Sequence, residues 1–308
     1  EQNNSDALYR LGNIYYYGYG VERNYKKGVE YYELLGKHND YNILNRLGNI
    51  YYYGKGVKPN KEKGIEYYEL SAKQDNSDAL YRLGNIYYYG KGVERNKEKG
   101  IEYYELSAKQ DNSDALNQLG NIYYSGKGVK QNYKKSIEYY KLSAKQNNSD
   151  ALYQLGNIYY YGKGVEKNYK ICFEYYELSA EQNNFNAFYQ LGNLYYYGFG
   201  VEQNYKKCIK YYELSIESNN SDALYKLGNI YFYGFGIKRN YKKGVEYYEL
   251  SAKQNNLYAL YRLGNIYYYG KGVEQNYKKG IEYYELSAEQ NNSDVLYRLG
   301  NIYYYGKG

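Results

Sequence analysis

The motif Leu11-Gly12-Asn13 returns along the chain with its glycine at Gly48, Gly84, Gly120, Gly156, Gly192, Gly228, Gly264 and Gly300, each 36 residues after the last. No insertion or deletion breaks the series. A chain with so fixed a period is built from stacked supersecondary repeats, because one repeat of this size cannot bury its own apolar face. The repeats run 5–40, 41–76, 77–112, 113–148, 149–184, 185–220, 221–256 and 257–292, with a partial repeat at 293–308. Together they make one array over residues 1–308. Glu1-Gln2-Asn3-Asn4 reads as the tail of an earlier repeat and Gly306-Lys307-Gly308 as the middle of a later one, so the sequence is expected to be a piece of a longer array.

Each repeat reads as two helices. At 100° per residue, Ala7, Leu8, Leu11, Ile14 and Tyr15 form one apolar stripe, while Asp6, Tyr9, Arg10, Asn13, Tyr16 and Tyr17 fall opposite. Gly18 supplies the left-handed cap that ends this helix, and Val21 is expected to anchor the turn. Asn24 and its equivalents Asn60, Asn96, Asn132, Asn168, Asn204, Asn240 and Asn276 stand where a second helix must begin, as side-chain caps. In that helix Gly28, Val29, Tyr31, Tyr32 and Gly36 share a face, and Lys26, Glu30 and Glu33 point away. Glu69 and Lys73 have the favourable i,i+4 order on the outer side. Pairs such as Asp75-Asn76 close a repeat with a left-handed residue.

The slot at Gly28 is filled by Gly64, Gly100, Ser136, Cys172, Cys208, Gly244 and Gly280, all small. Glycine inside a helix costs about 1 kcal/mol against alanine, so close helix approach is expected to offset that loss. The chain's two cysteines sit in this slot in adjacent repeats, too far apart for a disulfide if helices lie roughly 10 Å apart. They read as small buried fillers, and free thiols slightly favour a reducing intracellular compartment without excluding secretion.

Ala7, Leu11-Gly12, Tyr15, Gly18, Gly20-Val21, then a capped helix with Tyr31-Tyr32 and a small residue at Gly36, resemble the Sel-1-like repeat. This is a tetratricopeptide-related helix–turn–helix family. The resemblance covers the whole chain, with asparagine in place of the usual cap aspartate and tyrosine in place of tryptophan in the second helix. It implies an all-α superhelix, or solenoid, and a non-catalytic scaffold or adaptor that binds other proteins. It also implies a concave wall lined by the first helices, where Asp6, Tyr9, Asn13, Tyr16 and Tyr17 and their equivalents would face a partner.

On that wall the ladder Asn49, Asn85, Asn121, Asn157, Asn193, Asn229 and Asn265 offers a donor and an acceptor at fixed pitch, suited to the backbone of an extended peptide. Tyr52, Tyr53, Tyr88, Tyr89, Tyr160 and Tyr161 would flank it as contact surface. Tyr15, Tyr31 and Tyr32 read as core. Replacing Asn85, Asn121 and Asn157 together by alanine is then expected to weaken binding more than stability. The competing assignment is that these asparagines bond only to neighbouring repeats.

Other chemistries find less support. A tyrosine-lined trough could hold carbohydrate or cell-wall material. Nucleic acid would need a basic edge from Lys55, Lys91, Lys127, Lys163, Lys271 and Lys307 with Lys26-Lys27 and Lys134-Lys135. Glu30 and Glu33 interrupt it, and 41 Lys and Arg against 34 Asp and Glu leave a net charge of only +7. Gly84 to Gly92 imitates a phosphate loop, but the spacing is one residue too long and no Ser or Thr follows Lys91. One histidine, His38, and two cysteines cannot build a four-ligand zinc site, and no cofactor is implied. The carboxylates are scattered, so no catalytic group converges. No apolar run approaches ~18 residues. The 57 tyrosines argue against disorder. Asn3, Asn147, Asn219 and Asn291 match a glycosylation sequon that arises from the Asn-rich closing loop.

Overall fold

The computed structural model describes residues 5–290 and 292–306; Asn3, Asn291 and Lys307 lie outside the described residues. Among the described residues the regular structure is helical throughout. The first helices of the repeats are α1 (Ser5–Tyr17), α3 (Tyr41–Tyr53), α5 (Ser77–Tyr89), α7 (Ser113–Ser125), α9 (Ser149–Tyr161), α11 (Phe185–Tyr197), α13 (Ser221–Tyr233), α15 (Leu257–Tyr269) and α17 (Ser293–Tyr305). The second helices are α2 (Tyr25–Gly36), α4 (Lys61–Ala72), α6 (Lys97–Lys109), α8 (Tyr133–Ala144), α10 (Tyr169–Glu181), α12 (Tyr205–Ser215), α14 (Tyr241–Lys253) and α16 (Tyr277–Ala288). A 3-10 turn, Ile216–Ser218, follows α12.

The chain divides between Ala151 and Leu152, inside α9, into two compact units. In the first, consecutive helices from α1 through α8 pack on one another; in the second, consecutive helices from α10 through α17 do the same. Each core is shared across a repeat boundary. Tyr52, Ile65 and Tyr68 of one repeat close on Ala79, Leu83 and Ile86 of the next. An isolated repeat would leave half of such a cluster in water, which is why stacking and folding are one event here.

Local chemistry sets the helix ends. Asn60 Oδ1 accepts the Lys63 N–H at 3.0 Å, and the equivalent bond recurs at Asn24, Asn96, Asn132, Asn168, Asn204, Asn240 and Asn276. The closing pair divides its work. Asp75 takes φ 57°, and Asn76 then caps α5 by accepting the Ala79 N–H at 2.8 Å. Gly54 ends α3 at φ 70°. Val57 and Val93 pack against the cores as turn anchors, whereas Val21 is exposed.

The small slot is a contact point. A Cβ on Gly100 would stand 2.6 Å from the Tyr88 backbone nitrogen, so α5 and α6 touch there main chain to main chain. Where the slot holds serine, Ser136 Oγ donates to the Gly120 carbonyl at 2.8 Å. Cys172 and Cys208 are free and fully buried, and burial pushes both thiols up to about 12. A thiol held in that form is a filler and not a nucleophile.

Two expectations about the helix faces need correction. Tyr16 and its equivalents are on the side assigned to solvent, yet Tyr16, Tyr52 and Tyr88 are buried. The first helix is packed by its own partner and by the next repeat, so its buried arc is wider than one stripe. Tyr52 reaches across to donate to the Lys91 carbonyl at 2.6 Å, and Tyr88 to the Lys127 carbonyl at 2.8 Å. Tyr15 and Tyr31, read as core, are only half-buried and stack on each other with centroids 5.8 Å apart. Tyr32 is fully buried, as the stripe requires.

The second correction concerns the outer charges. Glu33 is half-buried and accepts from Lys63 Nζ at 2.8 Å and from the Tyr51 hydroxyl at 2.6 Å, both in the next repeat. Burial pushes its carboxyl up, but these donors outweigh burial and hold it below the usual range. Glu69 accepts from Tyr87 at 3.2 Å, and the ion pairs among the described residues, Lys63–Glu33 and Lys279–Glu249, join successive repeats and not i,i+4 partners. Lys27, Lys63, Lys99 and Lys135 lie about over the rings of Tyr15, Tyr51, Tyr87 and Tyr123, at 3.9, 3.9, 3.7 and 4.1 Å from the centroids. These lysines staple rings and do not form a free basic edge.

Candidate functional site

The asparagine ladder is bound up with the core. Each Oδ1 accepts a hydroxyl from the buried tyrosine of the second helix 19 residues on: Asn49 from Tyr68 (3.1 Å), Asn85 from Tyr104 (3.2 Å), Asn121 from Tyr140 (2.8 Å), Asn157 from Tyr176 (2.7 Å), Asn193 from Tyr212 (2.8 Å), Asn229 from Tyr248 (3.0 Å) and Asn265 from Tyr284 (3.2 Å). The Nδ2 groups of Asn49, Asn85, Asn229 and Asn265 donate to the carbonyl four residues back, those of Asn157 and Asn193 to the Gln154 and Gln190 side chains. The asparagine thus gives a fully buried tyrosine hydroxyl the acceptor that it needs. One N–H and one lone pair remain on the carboxamides of Asn49, Asn85, Asn157, Asn193, Asn229 and Asn265, and both N–H groups and one lone pair on that of Asn121.

A double-mutant cycle measures this bond. Asn85→Ala leaves the Tyr104 hydroxyl buried without its acceptor, and should lower stability by about 2 kcal/mol. Tyr104→Phe should cost less, and Tyr104→Phe combined with Asn85→Ala should cost less than the sum of the two, read by denaturant melts. Strict additivity would mean that the two side chains do not interact. The joint replacement of Asn85, Asn121 and Asn157 by alanine is therefore expected to show first as lost stability.

The tyrosine pairs split. Tyr53, Tyr89 and Tyr161 are 50%, 46% and 55% exposed, whereas Tyr52 and Tyr88 are 7% and 5% exposed and Tyr160 is half-buried. In the first unit Tyr52, Tyr53 and Asn85 come together with Arg82 and Lys91 around a cavity of about 150 Å³. In the second unit Asn265, Tyr233 and Tyr269 line one of about 280 Å³ with Arg262, Lys271 and Arg298.

Lys91 and Lys271 belong to the basic edge read from the sequence, but Arg82, Arg262 and Arg298 are what sequence reasoning passed over. Arg10 falls on the same side as Asn13 by its angle, but its equivalents were given no role. Arg46 Nη2 donates to the Tyr17 hydroxyl at 2.6 Å, Lys226 Nζ to Tyr197 at 2.8 Å, Arg262 Nη1 to Tyr233 at 3.1 Å and Arg298 Nη1 to Tyr269 at 3.2 Å. Each bond joins first helices of adjacent repeats. The signal lay in the period itself. The position of Asp6 and its equivalents, in the first turn of each first helix, is a first-turn slot, and four residues after it a cation recurs in most repeats. Among the described residues no group of three His, Cys, Asp or Glu side chains is placed to hold a metal ion. His38 is exposed, with Nδ1 3.4 Å from Ser5 Oγ.

The profile of the Sel1 repeat matches residues 5–40, 44–76, 77–112, 113–148, 149–184, 187–220, 221–256, 257–292 and 293–308. The chain belongs to the Sel1 repeat family. Sel1 repeat proteins are generally protein-interaction scaffolds, and generally not enzymes. Among solved structures the chain is similar to c5321, named as a protective antigen in uropathogenic Escherichia coli strains that displays an SLR fold. That match has 29% identity and TM-score 0.89, and covers 98% of this chain and 65% of that one, so the present chain spans about 65% of that antigen's length. It is also similar to a Sel1 repeat protein from Oxalobacter formigenes, with 26% identity and TM-score 0.72, covering 82% of this chain and 100% of that one. No curated protein matches the sequence. These likenesses establish an all-α helical-repeat fold of the solenoid class. No helix among the described residues is long and apolar enough to cross a membrane.

Proposed function

We propose that this Sel1 repeat chain is a scaffold whose first helices hold an extended segment of a partner protein. The observation that carries the reading is the row of exposed phenols at the ends of the first helices: Tyr53 and Tyr89 in the first unit, and Tyr161, Tyr197, Tyr233 and Tyr269 in the second. Tyrosines offer wide contact at small entropy cost, and here several are pinned by the neighbouring cation before any partner arrives. Asn49, Asn85, Asn121, Asn157, Asn193, Asn229 and Asn265 contribute their remaining N–H or lone pair to the partner's backbone, and Tyr52, Tyr88 and Tyr160 support the contact from beneath.

Site-specific photocrosslinking tests this. A crosslinker at Tyr89 or Tyr233 should capture the partner, and one at Leu106 or Leu250, exposed on the second helices, should not. Tyr53→Ser with Tyr89→Ser should weaken binding by about tenfold or more. Capture only from the second helices, with affinity unmoved by the tyrosine changes, would remove this reading.

A further inference from the structure

The second unit contains two kinds of repeat. Where the residue four beyond the first-turn slot is glutamine, at Gln154 and Gln190, its side-chain oxygen accepts from the ladder asparagine and the wall there is neutral. Where it is Lys226, Arg262 or Arg298, the asparagine turns to backbone at Asn229 and Asn265, and the half-buried cation goes to a tyrosine hydroxyl in the preceding repeat.

These three cations are consecutive in the stack, and among the described residues none has a carboxylate within ion-pair distance. The cavity beside Lys226 and Arg262, with Tyr196, Tyr225 and Asn229, carries no acid in its lining; the one beside Arg262, Lys271 and Arg298 carries none either. Within the second unit the acids in the first-turn slot are Asp222, which accepts from Asn256 at 2.8 Å, and Asp294, which lines a further cavity with Arg298. Between them the slot holds Tyr258, so the middle of the cationic stretch has no acidic residue in its first turn.

Guanidinium groups already oriented by a phenol, at the edge of aromatic cavities, suit carboxylates that arrive singly. A continuous phosphate backbone suits them less well, because Asp222 and Asp294 flank the stretch and Gln154 and Gln190 extend it without charge. We infer that the first-helix face from Tyr225 to Arg298 selects an acidic segment of a partner protein, with its carboxylates seated against Lys226, Arg262 and Arg298. The inference rests on the reading above, in which that face holds an extended segment.

Fluorescence anisotropy on the whole chain tests it, with a short labelled peptide alternating glutamate and serine and a counterpart alternating glutamine and serine. The acidic peptide should bind at least about tenfold more tightly. Combined Lys226→Gln, Arg262→Gln and Arg298→Gln, which copy the residue native at 154 and 190, should abolish that preference. Lys206→Gln, Lys242→Gln and Lys278→Gln, an equal loss of charge from exposed second-helix sites, should leave it intact. Equal affinity for both peptides, no binding of either, or an equal effect of the two triple variants would overturn the inference. So would a single-stranded oligonucleotide that binds more tightly than the acidic peptide and loses affinity in the first triple variant, since the site would then favour nucleic acid. If both peptides bind equally and crosslink at Tyr233, the acid preference falls while the scaffold reading stands. If a bound peptide crosslinks only at Leu250, the scaffold reading falls with it.

Discussion

Raising the pH beyond about 10 should melt the helices of this protein cooperatively, over a range where ordinary helical proteins lose little. Tyr32, Tyr68, Tyr104, Tyr140, Tyr176, Tyr212, Tyr248 and Tyr284 are at most 1% exposed. Burial, first among the causes at each, raises the hydroxyl well above the usual tyrosine value. In the unfolded chain the same groups titrate near about 10. The folded value is the higher one, so the folded state holds the proton longer. Stability from this source is complete below the unfolded value and falls as pH rises above it. Each such tyrosine removes about 1.4 kcal/mol per pH unit once the unfolded chain has ionised and the native one has not. The phenolate also cannot donate to its asparagine oxygen. Far-ultraviolet circular dichroism followed with tyrosinate absorbance should show helix loss and the last tyrosine ionisations as one transition. Helices that persist while every tyrosine ionises near the ordinary value would sink the argument.

This alkaline weakness is a consequence of the repeat, and so is the division between what could and could not be read from the sequence. Helix ends were legible because caps are local: Asn60 needs only Lys63, and Gly54 needs only its own φ. The small slot was legible because serine and cysteine replace glycine there and nothing larger does. The role of Asn85 was hidden, since its angle along α5 points away from the stripe and its partner, Tyr104, comes from another helix. Tyr52 misled for a related reason: its hydroxyl lies against the Lys91 carbonyl, in a turn that one repeat seen alone does not contain. The cations at 46, 226, 262 and 298 gain meaning only when first helices are placed side by side, because their phenol partners lie 29 residues back.

The glycine of the founding motif has its explanation in the same stacking, and Gly84→Ala should be among the most damaging single changes. A Cβ there would lie 2.5 Å from Cδ1 and 2.7 Å from Cε1 of Tyr104. That ring has no free direction. It is fully buried, tilted against Tyr81 and Tyr88 with centroids 6.0 Å away in both cases, and tied to Asn85 by its hydroxyl. Alanine gains about 1 kcal/mol in helix propensity over glycine, but overpacking a closed core costs up to about 3 kcal/mol, and here also threatens the hydroxyl bond. A net loss of about 2 kcal/mol is expected, seen as a lower denaturant midpoint and faster hydrogen exchange in α5 and α6. Gly300→Ala is the control, because a Cβ at that position meets nothing within 4 Å and should be neutral or slightly stabilising. Gly100→Ser should fall between, since Ser136 shows that the equivalent slot of the next repeat accommodates a Cβ and a hydroxyl and gives the hydroxyl a carbonyl to bond. If Gly84→Ala and Gly300→Ala melt alike, the glycine is kept for some reason other than the ring beneath it.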